Sequence, residues 1–275
     1  MRGLGQNFLV DTHVRDSIID CAKVCSSDLV VEIGPGRGVL TRPLAQRAGV
    51  LAAIEVDPGL VRDLRRMFKG AKNVYIIDAD VLSCDLGAIV RAHSQSLPEH
   101  RQAKVVANLP YYITTPILNK LFSDPGLFAT LTLMMQLEVA QKLTAKPGSR
   151  AYGELSVKTQ YFTEPVLLFE VPPTAFDPPP SVRSAVVQMT MRSVPPVEAD
   201  ADMMFSIVSA GYGKRRKTLR NALLASHLFA GDRDAVEEVL SCASVDGGRR
   251  AETLSLEEFA AISRAYVAYR AGENG

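Results

Sequence analysis

Short apolar runs alternate with amphipathic stretches along the first half of this 275-residue chain, and that alternation constrains the fold more than any other feature. Leu29–Ile33, Val50–Ile54, Val74–Ile77 and Val105–Ala107 read as successive strands. Pro58–Met67 and Thr115–Phe122 read as helices between them. Strands spaced by helices predict a parallel sheet with helices on both faces, an α/β class. Beyond about residue 135 the pattern changes: Tyr161–Val171 and Ser184–Met191 look like longer strands of a hairpin or antiparallel edge. Ser193–Val197, with its paired prolines, reads as a linker. After it Met203–Ser209, Arg216–Ser226, Arg233–Leu240 and Leu256–Arg270 all carry helical patterns. The expected division is therefore a sheet domain over residues 1–194 and a small helical domain over 195–275. No internal repeat or low-complexity tract interrupts it.

Composition narrows the function classes. With 47% hydrophobic residues the chain can build a substantial core. It has no run of about 18 apolar residues, the length a membrane-spanning helix needs, and no basic-then-apolar signal segment opens it. The four cysteines (Cys21, Cys25, Cys84 and Cys242) lack metal-type spacing, so no metal site is expected. Cys21 and Cys25, one helical turn apart on an apolar pattern, are expected to fill core space. Reduced thiols and a cytoplasmic location are the expectation. A net charge of +1 argues against a wholly basic nucleic-acid coat but leaves room for a local basic patch.

Three motifs carry chemistry. Val31-Glu32-Ile33-Gly34-Pro35-Gly36-Arg37-Gly38 follows the first apolar run, where glycines permit a tight turn and close approach of a ligand. Its spacing is not that of a dinucleotide site. Glu55 ends the second run, 19 residues after Gly36, where a carboxylate can accept both ribose hydroxyls of an adenosine. Asp80 closes the third and could accept from an adenine amine. Either acid alone could also be a solvated strand end, the lesser of the two readings. Together with the glycine turn they fit S-adenosylmethionine better than a nicotinamide dinucleotide.

The tetrad Asn108-Leu109-Pro110-Tyr111 stands at the end of the fourth run. A ring-conjugated amine is a poor nucleophile because its lone pair is delocalised. A side-chain amide oxygen and a backbone carbonyl can accept its two N–H bonds and draw the nitrogen toward a tetrahedral, reactive shape. Proline fixes φ and donates no competing N–H, and an aromatic ring can stack on the base for about 1–3 kcal/mol. Alone, the tetrad could equally be a strand ending in a proline turn. The densest basic run, Lys214-Arg215-Arg216-Lys217 followed by Arg220, sits near a helix start and suits RNA phosphates, although a charge run alone usually marks a solvated helix face. Arg249-Arg250 is a weaker candidate of the same kind.

On these motifs the chain resembles the ribosomal RNA small-subunit adenine N6,N6-dimethyltransferases of the KsgA type. The likeness runs from Gly5 to about Ala261. It rests on seven ordered blocks, among them Gly5–Leu9, Glu32–Gly36, Asn108–Tyr111, Gln136–Ala140 and Tyr152–Val157. Val171–Phe176 with Pro178 and Pro180, and Arg215–Leu219, complete the set. The resemblance implies a class I S-adenosylmethionine-dependent methyltransferase of Rossmann-like fold, mostly parallel with an antiparallel edge, plus a C-terminal helical domain. It implies dimethylation of two adjacent adenosines near the 3′ end of small-subunit rRNA, with S-adenosylhomocysteine as product and a pre-30S-type particle as partner. No membrane is implied, and nothing calls for an obligate oligomer, so a monomer is expected.

The resemblance also implies roles. Asn7, with the backbone at Leu9, closes over the cofactor; Gly34 and Gly36 approach its methionine part; Glu55 takes the ribose and Asp80 the adenine. Asn108 lies at cofactor and target alike. With the Pro110 carbonyl it holds the target amine, Tyr111 stacks on the base, and Phe176 forms a second aromatic wall. Lys214, Arg215, Arg216, Lys217 and Arg220 face rRNA. Tyr112 departs from the pattern, which commonly has Asn there, as does Tyr212, where Phe is common. The arm Met1–Leu4 is shorter and less basic than usual. Two other readings stay open. One is a large-subunit rRNA adenine methyltransferase of the macrolide-resistance type, against which the Tyr152–Val157 and Arg215–Leu219 blocks weigh. The other is a non-catalytic assembly or transcription factor on the same fold, against which the intact tetrad, Glu55 and Asp80 weigh.

Overall fold

A computed structural model describes residues 7–95, 97, 102–214 and 216–272. Contacts divide the chain into two compact units. One holds the residues up to Ala140 together with Thr163–Ser193; the other holds Gln141–Phe162 and the chain from Val194 onward. The C-terminal break falls at the expected linker. The stretch 141–162, expected within the sheet domain, packs instead with the helices.

The first unit is built on a seven-stranded sheet. In chain order its strands are β2 (Leu29–Ile33), β3 (Val50–Glu55), β4 (Val74–Asp78), β5 (Ala103–Asn108), β6 (Phe128–Gln136), β7 (Thr163–Val171) and β9 (Ser184–Met191). They lie in the order β4-β3-β2-β5-β6-β9-β7. The first five are parallel to one another, and β9 and β7 add an antiparallel edge. A separate two-stranded ladder pairs β1 (Phe8–Leu9) with β8 (Phe176–Asp177). Every residue of β2 and β3 is buried. A parallel strand covered on both faces is apolar along most of its length, so apart from Glu32 and the terminal Glu55 these runs are uniformly apolar and show no alternation.

The helices of this unit start where the sequence supplies caps. Asp11 accepts the backbone N–H groups of His13 and Val14 at 2.8 and 3.1 Å and opens α1 (Thr12–Ala22). Asp57 caps α3 (Pro58–Met67), whose proline sits where its missing N–H costs nothing. Asp85 caps α4 (Leu86–Ser94). The remaining helices here are α2 (Thr41–Arg47) and α5 (Thr114–Phe122), and α6 (Leu137–Leu143) follows β6. Helix α1 ends at Ala22, with Lys23 left-handed at φ 47°. Cys25 therefore lies beyond the helix and is exposed rather than core, while Cys21 is half-buried.

Two further expectations are adjusted. Tyr161 and Phe162 finish a helix, α7 (Glu154–Phe162), and the strand begins only at Thr163. Strand β6, nine residues long and almost wholly buried, had no separate forecast.

The second unit packs α7 with α8 (Ala201–Tyr212), α9 (Leu219–Leu224), α10 (Arg233–Cys242) and α11 (Leu256–Gly272) around Met204, Ile207, Leu219, Val236 and Phe259. Ser255 and Glu258 open α11 reciprocally: the Ser255 N–H donates to the Glu258 carboxylate at 2.8 Å, and the Glu258 N–H donates to the Ser255 hydroxyl at 3.3 Å. That exchange satisfies two donors a helix start otherwise leaves open. Helix α9 is shorter than its pattern suggested, because Lys214, Arg216 and Lys217 lie in the turn before it.

Gly49 enters β3 with no space for a side chain. A Cβ there would stand 2.3 Å from the Ser26 carbonyl oxygen and 2.6 Å from Leu97 Cδ2. The first of these is backbone and cannot swing aside. Gly49→Ala is expected to lower unfolding stability by about 1–3 kcal/mol, read as an earlier urea midpoint at unchanged slope.

Candidate active site

The winding of the sheet reverses between β2 and β5, which are neighbours in space but not in sequence. A crevice opens there beyond the strand ends, the usual ligand position in open α/β sheets. Four segments meet in it: the glycine turn after β2, the end of β3, the loop after β4 and the tetrad after β5. One pocket is lined by Asn7, Leu9, Glu32, Gly34, Gly36, Glu55, Asp80, Asn108, Pro110 and Tyr111, among others. Every residue expected to touch cofactor is in that lining.

The glycine turn depends on backbone that only glycine adopts without strain. Gly34 and Gly36 have φ of 65° and 56°. A Cβ on Gly36 would also come within 3.2 Å of the Phe8 ring. Phe8 is held by β1 and carries the Arg37 guanidinium 4.2 Å from its ring centroid, a cation–π contact.

Glu55 is buried but well provided. Its carboxylate accepts the N–H groups of Gly36 at 3.1 Å, Val56 at 2.9 Å and Asp57 at 3.0 Å. Those bonds fix it against the glycine turn. Asp80 lies two residues beyond the end of β4, exposed, and caps its own turn through the Leu82 N–H at 2.9 Å.

The tetrad divides into committed and uncommitted acceptors. The Asn108 amide nitrogen donates to the Asn7 carbonyl at 3.4 Å, and its Oδ1 is buried with no hydrogen-bond partner among the described residues. The Pro110 carbonyl accepts the Ile113 N–H at 3.2 Å and the Thr114 hydroxyl at 3.1 Å. Both its lone pairs are in use, so the role expected of it is not available in this geometry. Among the described residues no hydrogen bond reaches the Leu109 carbonyl, while the Leu109 N–H donates to Met134 at 3.0 Å. The Tyr111 hydroxyl meets the Ser184 hydroxyl at 2.5 Å. Burial pushes the Tyr111 phenol above its ordinary range, with the Ser184 bond opposing.

Phe176 does not join this lining. It is 3% exposed, pairs with Leu9 across the β1–β8 ladder and packs with Ile18, Val171 and Val186. The ladder buries its ring, so its expected place as a second aromatic wall is corrected to a core position.

Glu32, within the glycine motif, carries no separate role in the sequence pattern. In the structure it is 1% exposed, and its Oε2 has no partner among the described residues. Burial raises its carboxyl from the ordinary 4.5 to about 8, the Thr41 hydroxyl opposes, and the Glu55 carboxylate adds to the rise. An acid inside an otherwise apolar strand was the available signal.

A family model described as ribosomal RNA adenine dimethylase matches residues 2–263. The chain belongs to that family. A relative from Pelotomaculum thermopropionicum named ribosomal RNA small subunit methyltransferase A is 48% identical over 269 residues, covering 97% of this chain and 91% of its own length. A protein of the same name from Moorella thermoacetica is 44% identical over 265 residues, covering 94% and 90%. Among solved structures, the 23S rRNA methyltransferase ErmE aligns with a TM-score of 0.70 at 29% identity, over 95% of this chain and 100% of its own. A dimethyladenosine transferase from Plasmodium falciparum aligns at 0.80 and 22% identity, over 96% and 98%, which bears on the fold alone.

In this member of the dimethylase family the basic run is only partly uncommitted. Lys214, Arg216 and Lys217 are exposed; Arg215 lies outside the described residues. Arg220 pairs with Glu237 at 2.5 Å. Arg249 is tied to Glu258 and to Thr253 and serves the helical unit, whereas Arg250 is exposed, 3.8 Å from Glu252. Among the described residues no cluster of His, Cys, Asp and Glu could hold a metal, and no helix is long and apolar enough to cross a membrane.

The Glu32 shift has a measurable consequence. Unfolded, its carboxyl titrates near 4.5; folded, near 8. Between those values the unfolded chain has lost a proton that the folded chain keeps, so this group lowers stability as pH rises and adds nothing further above about 8. Glu32→Gln mimics the neutral acid and should show a smaller fall in urea midpoint between pH 5 and 8 than the parent. Identical pH dependence would mean that Glu32 is ionised in the folded protein.

Proposed function

We propose that this chain transfers methyl groups from S-adenosylmethionine to N6 of two adjacent adenosines near the 3′ end of small-subunit rRNA, giving N6,N6-dimethyladenosines during small-subunit assembly. The observation that carries the reading is the Asn108 Oδ1: a buried acceptor at a strand end, without a partner among the described residues, in the same pocket as the glycine turn, Glu55 and Asp80. A buried amide oxygen with no partner costs about 1–3 kcal/mol, and an N–H of the target base would restore that bond.

The residues fit the cofactor. Gly34 and Gly36 leave the backbone open to its methionine part. Glu55, fixed by two N–H donors on Oε1 and one on Oε2, keeps an acceptor site on Oε2 for a ribose hydroxyl. Asp80 takes the adenine amine, and Asn7 and Leu9 cover the pocket from the N-terminal side. The cofactor supplies a methyl group activated by a sulfonium charge. The protein's own part is to bind and orient. Asn108 Oδ1 accepts one amine N–H. The second acceptor is assigned to the Leu109 carbonyl, because that of Pro110 is saturated. Tyr111, anchored through Ser184, presents its ring to the base. No strong base is needed before attack, since the amine becomes cationic only as the methyl arrives and its proton leaves afterwards to water. Carbonyl dipoles aimed at that developing cation, together with positioning, supply the catalysis.

The target adenine must leave its stack to reach Asn108, so a single-stranded or loop substrate is expected. Lys214, Arg216 and Lys217, with Arg215 of the same run, are assigned to rRNA phosphates. We also assign the protein as a monomer acting on a pre-30S-type particle in the cytoplasm. The large-subunit alternative shares the fold of ErmE at 29% identity, but the relatives at 44–48% bear the small-subunit name.

Incubation with unmodified small subunits and cofactor should yield dimethyladenosine at two neighbouring positions by nucleoside mass spectrometry, and purified large subunits should yield none. The reverse pattern would transfer the assignment to the large-subunit enzyme. Asn108→Ala should lower kcat by on the order of 10²–10³-fold, the usual loss for one positioned polar group; full activity in that variant would remove Asn108 from the chemistry.

A further inference from the structure

We propose that Tyr112 is a stacking platform for the nucleobase next to the flipped adenine. In a substrate with two adjacent adenosines that base is the other member of the pair. The inference rests on the reaction assigned above and adds to it a substrate contact outside the amine-holding tetrad.

Tyr112 is 58% exposed and is the one aromatic residue among the large exposed apolar side chains of the described residues. It is not a loose surface ring. It stands in a 3₁₀ turn, Tyr111–Ile113, between two anchors. On one side the Tyr111 hydroxyl is held by Ser184 at 2.5 Å. On the other, the Ile113 N–H and the hydroxyl of buried Thr114 both close on the Pro110 carbonyl, at 3.2 and 3.1 Å. The backbone carrying Tyr112 is thus fixed, while its ring makes no aromatic or hydrogen-bonded contact among the described residues.

Geometry separates the two tyrosines. A 3₁₀ turn has about three residues per turn, so successive side chains leave its axis roughly 120° apart. Tyr111 is turned toward Ser184, and Tyr112 lines the rim of the same pocket while remaining open to water. Tyr112 is thus a fixed aromatic residue that stays more than half exposed at the pocket. Its chemistry suits a flat π face.

A strand entering the pocket presents such a face. Extruding one adenine breaks its stack with its neighbour, and that neighbour's face then meets water. An aromatic ring at the rim replaces the lost partner without regard to base identity. The occupant is identified by continuity: the pocket takes one base, and the adjoining base of the same strand is covalently bound to arrive beside it. Stacking on the neighbour holds the strand while the target is flipped, so the effect belongs to substrate capture rather than methyl transfer.

The test is steady-state methylation of unmodified small subunits by the full chain and its Tyr112→Ala, Tyr112→Phe and Tyr112→Leu variants. Tyr112→Ala should raise the KM for subunits by about 5- to 150-fold, the equivalent of a stacking contact of about 1–3 kcal/mol. The kcat and the KM for S-adenosylmethionine should hold. Tyr112→Phe should restore the parent KM and Tyr112→Leu should not. Unchanged subunit KM in Tyr112→Ala, a loss confined to kcat, or rescue by leucine would overturn the platform while leaving the methylation reading intact. Absence of methyl transfer by the parent chain would overturn both.

Discussion

The parallel pairing of β2 with β3 on one side and β5 on the other holds the site together. Val31 sits opposite Ala52 in β3 and Val105 in β5, so the three strands end nearly level. Their last residues then bring the glycine turn, Glu55 and Asn108 to one crevice. Strand side chains alternate between faces, so a one-residue slip of β5 would turn Asn108 to the other side of the sheet. Such a slip would also displace Val105, Val106 and Ala107, all fully buried. Core packing several residues below the pocket thus aims the amide.

The pocket departs from the rule that buried polar atoms find partners, and the departures are selective. The Pro110 carbonyl and Glu55 Oε1 are each engaged by two neighbouring donors. Glu32 Oε2 and Asn108 Oδ1 are buried and have no partner among the described residues. Each such atom costs about 1–3 kcal/mol, which the surrounding apolar strands must offset. Engaged groups shape the crevice, whereas open ones retain free energy that a ligand can recover. A neutral Glu32 fits the same logic, since a second ionised carboxylate close to Glu55 would add like-charge repulsion to the cost of burial.

Legibility in the sequence followed the physics of each element. Strands β2 and β3 and helix α3 matched closely because continuous burial and N-terminal caps leave strong local patterns. The pocket residues were legible because glycine turns and strand-end acids have few other uses in combination. What escaped was set by tertiary contacts. Tyr161 and Phe162 have strand-like character, yet their rings pack at 5.0 Å on one another and, at 5.2 and 5.6 Å, on Phe205, which keeps them helical. Phe176 sits in a proline-rich loop that suggests an exposed wall, and only the ladder with Leu9 shows it buried. The engagement of the Pro110 carbonyl by Thr114 depends on the turn after the tetrad, which residue type alone does not specify. Arg220 and Arg249 read as RNA-facing, but the fold brings Glu237 and Glu258 against them.

Those paired arginines bear on how a target is chosen. A pocket that holds an adenine amine cannot tell one rRNA adenine from another, because every adenine offers the same edge and the same face. Choice must come from surfaces that read the backbone and shape of a folded RNA. With a net charge of +1, the chain has no broad positive field to gather RNA indiscriminately. Cations committed to internal ion pairs reduce the phosphate contacts further, and with fewer contacts the sequence-independent share of affinity shrinks. Recognition then depends on a few placed contacts that a correctly folded RNA alone can satisfy together, which suits an enzyme whose chemistry would act on any exposed adenine.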